Sequence, residues 1–275
     1  WDGLPSNAAD LFHSCRQLTQ VPFGLQKLLL FPIQTSSHRR LMIDSSPVDS
    51  SRIQALGLHP STRICLTTLP STDDTLLTNQ EWSDFVRLRV GSSFAGVPVD
   101  GKCVLCNAAM SSEVTAHPFC CPKLRRLGVT DRHNLVARTF AAAARRCGVS
   151  VSLEPSPFLP DSHKKPDAGF THVGSAFYTD FTFPHLHAPS RIHAGSRGLP
   201  LSEFQVLESA ASSKRSKYVD LCAKIDAFFL PAVISTFGSF SQDFQALIDK
   251  IAEVADAEQR MSLKTARFML SSVTA

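Results

Sequence analysis

The stretch that decides the fold runs from Asp131 to Glu154, DRHNLVARTFAAAARRCGVSVSLE, and resumes from Lys165 to Phe183 as KPDAGFTHVGSAFYTDFTF. Its period changes at Gly148. Residues 132–147 carry apolar side chains at helical spacing, Asp131 is a good N-cap, and Gly148 suits the position just past the helix end. Val149–Leu153 alternates as a strand does. Pro166–Val173 and Ala176–Phe183 read as two further strands, with Gly174-Ser175 as the hairpin turn between them. A polar, Pro-rich loop spans 155–165.

Downstream, a loop rich in Pro, His and Gly covers 184–200, and Ser202 caps a helix over about 202–227. Phe228–Phe237 (FFLPAVISTF) reads as a buried strand whose Pro231 favours an edge or a bulge. Residues 241–257 and 258–272 read as amphipathic helices. From Asp131 onward the order is helix, three strands, helix, strand, helix: an α/β pattern on a small mixed sheet. Upstream, residues 7–45 start as a helix that Pro22 and Pro32 interrupt. A short helix ends near Gly57, residues 63–69 form a strand, and Asn79–Val90 is a helix. The Gly/Ser/Pro segment 91–101 is the natural boundary. The expected organisation is a mainly helical region over 1–100, a metal knuckle over 101–122 and an α/β domain over 123–275.

The chain has 275 residues, 43% apolar and 19% charged, a globular balance that excludes a largely disordered chain. No apolar run approaches the ~20 residues of a membrane span, so no membrane partner is expected. No basic-then-apolar leader is visible, and an intracellular protein, nuclear or cytoplasmic and not secreted, is expected. The net charge of +4 is uneven: residues 122–218 carry +7, between flanks of −1 over 1–100 and −2 over 219–275. That is the footprint of a surface facing a polyanion, although a solvated basic face is the commoner cause.

Eight cysteines are too few for a disulfide scaffold, and four of them, Cys103, Cys106, Cys120 and Cys121, cluster around His117. Cys103-x2-Cys106 places two thiolates on one tetrahedral face. His117 and a later Cys, Cys121 in preference to Cys120, complete a structural Zn²⁺ shell. A second constellation is Lys165-Pro166-Asp167, then Asp180, then Lys214 and Lys217. Two carboxylates on successive strands can converge on one sheet edge and suit Mg²⁺. Such a metal activates water and stabilises charge developing on phosphorus. Lys214 and Lys217, three apart, share a helix face and could orient the water or clamp the phosphate. Glu154 is either a further ligand or a strand-terminal acid. Arg132, with helix-start N–H groups, could hold a phosphate, and His133 beside it reads first as a capping or packing residue. Tyr178-Thr-Asp180 imitates half of a polymerase YxDD box, but Phe181 stands where the second Asp belongs. His185 and His187, with His163, His172 and His193, could bind a metal, though loop histidines are usually less specific.

Taken together, Cys-x2-Cys…His…Cys, Arg132-His133-Asn134, Glu154-Pro155, Lys165-Pro166-Asp167, Asp180 and Lys214-x2-Lys217-Tyr218 resemble the region downstream of the reverse transcriptase in some non-LTR retroelements. There a zinc knuckle precedes a restriction-like endonuclease of the PD-(D/E)xK class. The segment Phe229-x-Pro231…Gly238 is similar too, and the resemblance covers about 103–240. It implies a helix–three-strand–helix–strand core and Mg²⁺-dependent DNA cleavage, leaving a 3′-hydroxyl that primes reverse transcription. Phe181 and Thr182 occupy the place of the motif's third element, so the resemblance passes the Lys role to Lys214 or Lys217. The implied partners are DNA, element RNA and an upstream reverse transcriptase of the same or parent polypeptide. Lys165, Arg125, Arg126, Arg132 and His133 are the expected nucleic-acid contacts. The chain reads as the tail of a longer polyprotein. The alternative is a catalytically decayed, zinc-containing nucleic-acid-binding module.

Overall fold

The computed structural model describes residues 25–58, 62, 78–92, 101–110, 117–124, 129–155, 164–172, 174–192, 194–195 and 200–272. The expected helix start at 7–24, the strand at 63–69, most of the 91–101 segment, Arg125, Arg126, His163 and His193 lie outside them. The chain divides into two compact units, Trp1–Ser46 and Pro47–Ala275.

In the first unit the described element is α1 (Leu25–Asp44). Pro32 does not interrupt it as expected. The helix runs through, forgoing one backbone hydrogen bond at the residue that lacks an N–H.

The second unit opens with α2 (Pro47–Leu58) and α3 (Asn79–Val90). Thr78 and Glu81 form a reciprocal capping box at the start of α3, and Gly91 closes it at φ 78°. Ala55, Leu56 and Leu88 pack with Leu186, Val206 and Phe237, so both helices belong to the second unit. The expected divisions at 100 and 122 both fall inside that unit, and this shared core crosses them.

A short hairpin, β1 (Gly101–Lys102) and β2 (Ala109–Met110), precedes the one-turn helix α4 (His117–Cys120). Then comes the α/β part: α5 (Val129–Arg146), β3 (Ser150–Leu153), β4 (Ala168–His172), β5 (Ser175–Thr179), β6 (Phe181–Thr182), α6 (Pro189–Ile192), α7 (Glu203–Ala223), β7 (Ala227–Phe229), β8 (Ala232–Val233), α8 (Gln242–Ala257) and α9 (Leu263–Ser272). The helix–three-strand–helix–strand order read from sequence is present, on a mixed sheet. Its order is β3-β4-β5-β7, antiparallel until β7 joins β5 in parallel. A parallel partner needs a crossover, and α7 supplies it.

Details differ for physical reasons. The α5 helix begins at Val129, so Asp131 sits in its first turn rather than capping it, where its charge still favours the helix dipole. The hairpin pairs His172 with Ser175, so Ser175 belongs to the strand and not to the expected turn, while Gly174 stands at φ 74°. The expected strand 228–237 is split. β7 follows β5, β8 follows β6, and Pro231, having no N–H, stands in the gap. The last helix begins at Leu263, not 258, because Gln259 turns the chain at φ 53°.

The main core lies where α5, α8 and α9 cover one sheet face. Phe140 at its centre meets Phe170, Phe181 and Phe244 at ring distances of 6.1, 5.7 and 5.2 Å. The opposite face is covered by α7, where Tyr218 packs on Phe229 at 4.8 Å. Gly169 is required there, since a β-carbon would stand 3.0 Å from the Tyr178 ring.

Candidate metal centre and acidic site

Two sites emerge, one for each constellation. In the first, the β1–β2 hairpin carries Cys103 and Cys106 at its turn. Asn107, at φ 60°, donates its N–H to the Cys103 carbonyl at 2.8 Å and tightens that turn. From α4 and the residue after it come His117 and Cys121. The four ligand atoms lie within 4.8 Å of one another. Cys103 Sγ is 3.9 Å from Cys121 Sγ, and Cys106 Sγ is 3.2 Å from His117 Nε2. A tetrahedron with Zn–S bonds of 2.3 Å has edges of roughly 3.8 Å between sulfurs, so the shell is already near zinc dimensions. Backbone N–H groups of Cys106 and Leu105 bring the Cys103 thiol down to about 6, toward the thiolate that a metal requires. A Cys₃His cluster able to bind zinc is thus in place. Cys121 is the fourth member of the cluster. Cys120 faces away, beside Arg191, and burial raises its pKa.

The second site sits at one end of the sheet. The hairpin register pairs Ala168 with Thr179, and one step further brings Asp167 level with Asp180. Level in the register, the acids take their partners from helices on opposite sides of the sheet, Asp167 from α5 and Asp180 from α7. The Asp167 carboxylate reaches across the hairpin to accept the Phe181 N–H at 2.6 Å. Its same Oδ2 meets His133 Nε2 at 2.8 Å. That hydrogen bond raises the His133 pKa, outweighing partial burial. Glu154, at the end of β3 with φ 45°, lines a small cleft together with His133, Arg138 and Asp167.

Asp180 is only 5% exposed and sits in the break between β5 and β6. Lys214 Nζ donates to its Oδ1, and Lys217 Nζ stands 3.7 Å from its Oδ2. Sequence spacing grouped the two lysines, but the helix treats them differently. Leu207, Ala211, Tyr218 and Cys222 are the buried stripe of α7, and Lys214 continues that stripe at i+3 from Ala211 and i−4 from Tyr218. A lysine on an apolar stripe is tolerated because Asp180 meets it. Lys217 is one position off the stripe and 42% exposed at its side chain, against 24% for Lys214.

Other expected residues are placed differently. Arg132 does not stand in the open as a phosphate contact. Its guanidinium lies over the Phe119 and Phe183 rings at 5.9 and 5.2 Å, burial lowers its pKa, and its Nε has no hydrogen-bond partner. His133 is a partner of Asp167, which its helix-start position alone did not reveal. Lys165 is exposed, and its carbonyl accepts the Tyr218 hydroxyl at 2.8 Å. His185 and His187 are buried, with rings 6.0 Å apart, and His185 Nδ1 bonds Thr236 Oγ1 at 2.7 Å. Burial, then repulsion from neighbouring His187, Arg191 and Arg132, takes His185 down to about 3.

Among the described residues no helix is long and apolar enough to cross a membrane. No protein-family model matches the chain, and no curated protein matches it.

Proposed function

We propose that the chain is a metal-dependent DNA endonuclease, the C-terminal part of a retroelement-derived polyprotein, with a zinc-stabilised knuckle ahead of a restriction-like domain. The observation that carries this reading is that Asp167 and Asp180 stand level at one sheet end, with two α7 lysines on Asp180, in a mixed sheet with the expected element order. Asp167 and Glu154 line one small cleft, and carboxylate oxygens are the hard donors that Mg²⁺ takes. Bound there, the metal supplies charge neutralisation at the scissile phosphate and a more acidic water.

The chain's own residues do the rest. Asp167 and Asp180 provide oxygen ligands. His133 holds the Asp167 carboxylate in one orientation, and Lys214 does the same for Asp180. Lys217, the more exposed lysine, faces the phosphate or the attacking water. The +7 stretch of residues 122–218 supplies contacts to DNA phosphates that carry no sequence information. DNA is the substrate, and element RNA and an upstream reverse transcriptase are the proposed partners.

The test is nicking of supercoiled plasmid with Mg²⁺ or Mn²⁺. The parent is expected to nick, and Asp167→Ala and Asp180→Ala to lose at least a hundredfold in rate. An Asp167→Ala variant that cleaves like its parent removes the site. A second reading has its own support: each carboxylate is already engaged, Asp167 by His133 and Asp180 by the lysines. That is what a decayed, zinc-containing nucleic-acid-binding module would retain. DNA binding without nicking under any divalent ion selects it.

A further inference from the structure

The hydroxyl of Tyr218 is where the second site's pieces join. The side chain is fully buried, its ring set on Phe229, so its position is fixed by packing rather than by the polar groups around it. Lys217 Nζ donates to its oxygen at 2.6 Å. The hydroxyl donates to the Lys165 carbonyl at 2.8 Å, two residues ahead of Asp167. Burial, followed by the nearby Asp180 carboxylate, raises the Tyr218 pKa. The hydroxyl therefore keeps its proton near neutrality, and its oxygen lone pairs remain available to an ammonium. One buried oxygen thus touches the Lys-Pro-Asp loop and one of the two lysines that face the second acid.

The lysines are not equivalent in this frame. Lys214 is committed to Asp180. Lys217 is held at 2.6 Å by Tyr218 and only at 3.7 Å from Asp180, with its side chain 42% exposed. Its ammonium has further N–H groups to offer on the open side.

We propose that Tyr218 is a positioning residue that aims the Lys217 ammonium at the reacting phosphate, while Lys214 serves only to hold Asp180. The catalytic part of this rests on the endonuclease reading; the hydrogen-bond geometry does not. Without the hydroxyl, Lys217 regains the rotamers of a long surface side chain and spends less time at the site.

Tyr218→Phe in the zinc-loaded full chain removes the oxygen and keeps the ring. With ¹⁵N-labelled protein, the Lys217 ammonium signal, assigned by its loss in Lys217→Arg, is expected to shift or broaden in Tyr218→Phe. The Lys214 signal is expected to stay. In nicking assays kcat should fall about tenfold, the rate equivalent of one net hydrogen bond, with KM within twofold. An unmoved Lys217 signal overturns the proposal whether or not the parent nicks, and an unchanged kcat in an active parent overturns it too. A parent that never nicks defeats the endonuclease reading alone, and the ammonium signals still decide the positioning. Should the Phe variant not fold, the lysines themselves provide the test. Lys217→Gln is expected to lose nicking at unchanged Tm, and Lys214→Gln to lower Tm by several degrees. The reverse pattern overturns the assignment.

Discussion

Asp180 is nearly sealed from water, and its charge is tolerated because Lys214 meets it. Removing one partner of such a pair leaves the other buried and uncompensated. Lys214→Met should therefore cost about 3 kcal/mol, read from urea unfolding, although the new side chain is as apolar as its stripe. A cost under about 0.5 kcal/mol would mean that Asp180 finds water. Two histidine environments pull stability in opposite pH directions. The Asp167 bond raises the His133 pKa, so that contribution is complete below about pH 6.5 and is lost as pH rises through the raised value. Burial, then the Arg52 charge, takes His187 down to about 4, so the unfolded chain gains a proton that the folded chain refuses. Stability from His187 falls as pH drops below about 6.5. His187→Gln should accordingly remove about 2 kcal/mol of the stability lost between pH 7 and pH 5. Equal acid loss in parent and variant would show that His187 protonates in place.

At the scale of elements, Phe119 links the knuckle to the α/β part. Phe119 of α4 stacks on His185 at 5.4 Å, and the Arg132 guanidinium of α5 stands 5.9 Å from its ring. Arg132 is adjacent to His133, so the metal cluster and the acidic site share a short chain of contacts. The purified chain is expected to carry about one zinc. Cys121→Ser should lose it, and Cys120→Ser should keep it. Stripping the metal with a chelator should lower amide protection at the start of α5, measured by hydrogen exchange around residues 130–134. Unchanged protection there would make the knuckle an independent module. Helix α7 depends on its own start: Ser202 and Gln205 cap it reciprocally. Ser202→Ala should cost about 1 kcal/mol in thermal or urea unfolding.

For the molecule as a whole, charge is distributed by region: +7 over residues 122–218 against −2 over 219–275. If the basic region meets DNA phosphates, log Kd should vary steeply with log salt, by roughly 0.9 for each phosphate contacted. Charge reversal at Arg138, exposed on the cleft beside His133, should lower that slope by about one. Filter-binding titrations across salt concentrations check this, and an unchanged slope would place the DNA elsewhere.

The sequence by itself determined the elements and their order. Periodicity at 132–147 and 149–153, the hairpin spacing and the capping signals are local, and local signals survive without knowledge of the fold. It also determined that Asp167 and Asp180 stand level at one sheet end, because a tight hairpin converts a spacing into a register. The Cys-x2-Cys knuckle was legible for the same reason. Boundaries failed where a single residue's backbone decided, as at Pro32, Val129 and Gln259. What only the tertiary structure decided involves partners far apart in the chain. The place of Cys121 in the cluster, His133 on Asp167, the burial of Arg132 and the different exposure of Lys214 and Lys217 are of this kind. So is the Tyr218 hydroxyl, whose Lys165 partner is 53 residues away. Those contacts depend on which face of α7, α5 or α4 the packed core turns inward. Burial of a whole apolar stripe sets that orientation, and no single residue's spacing encodes it.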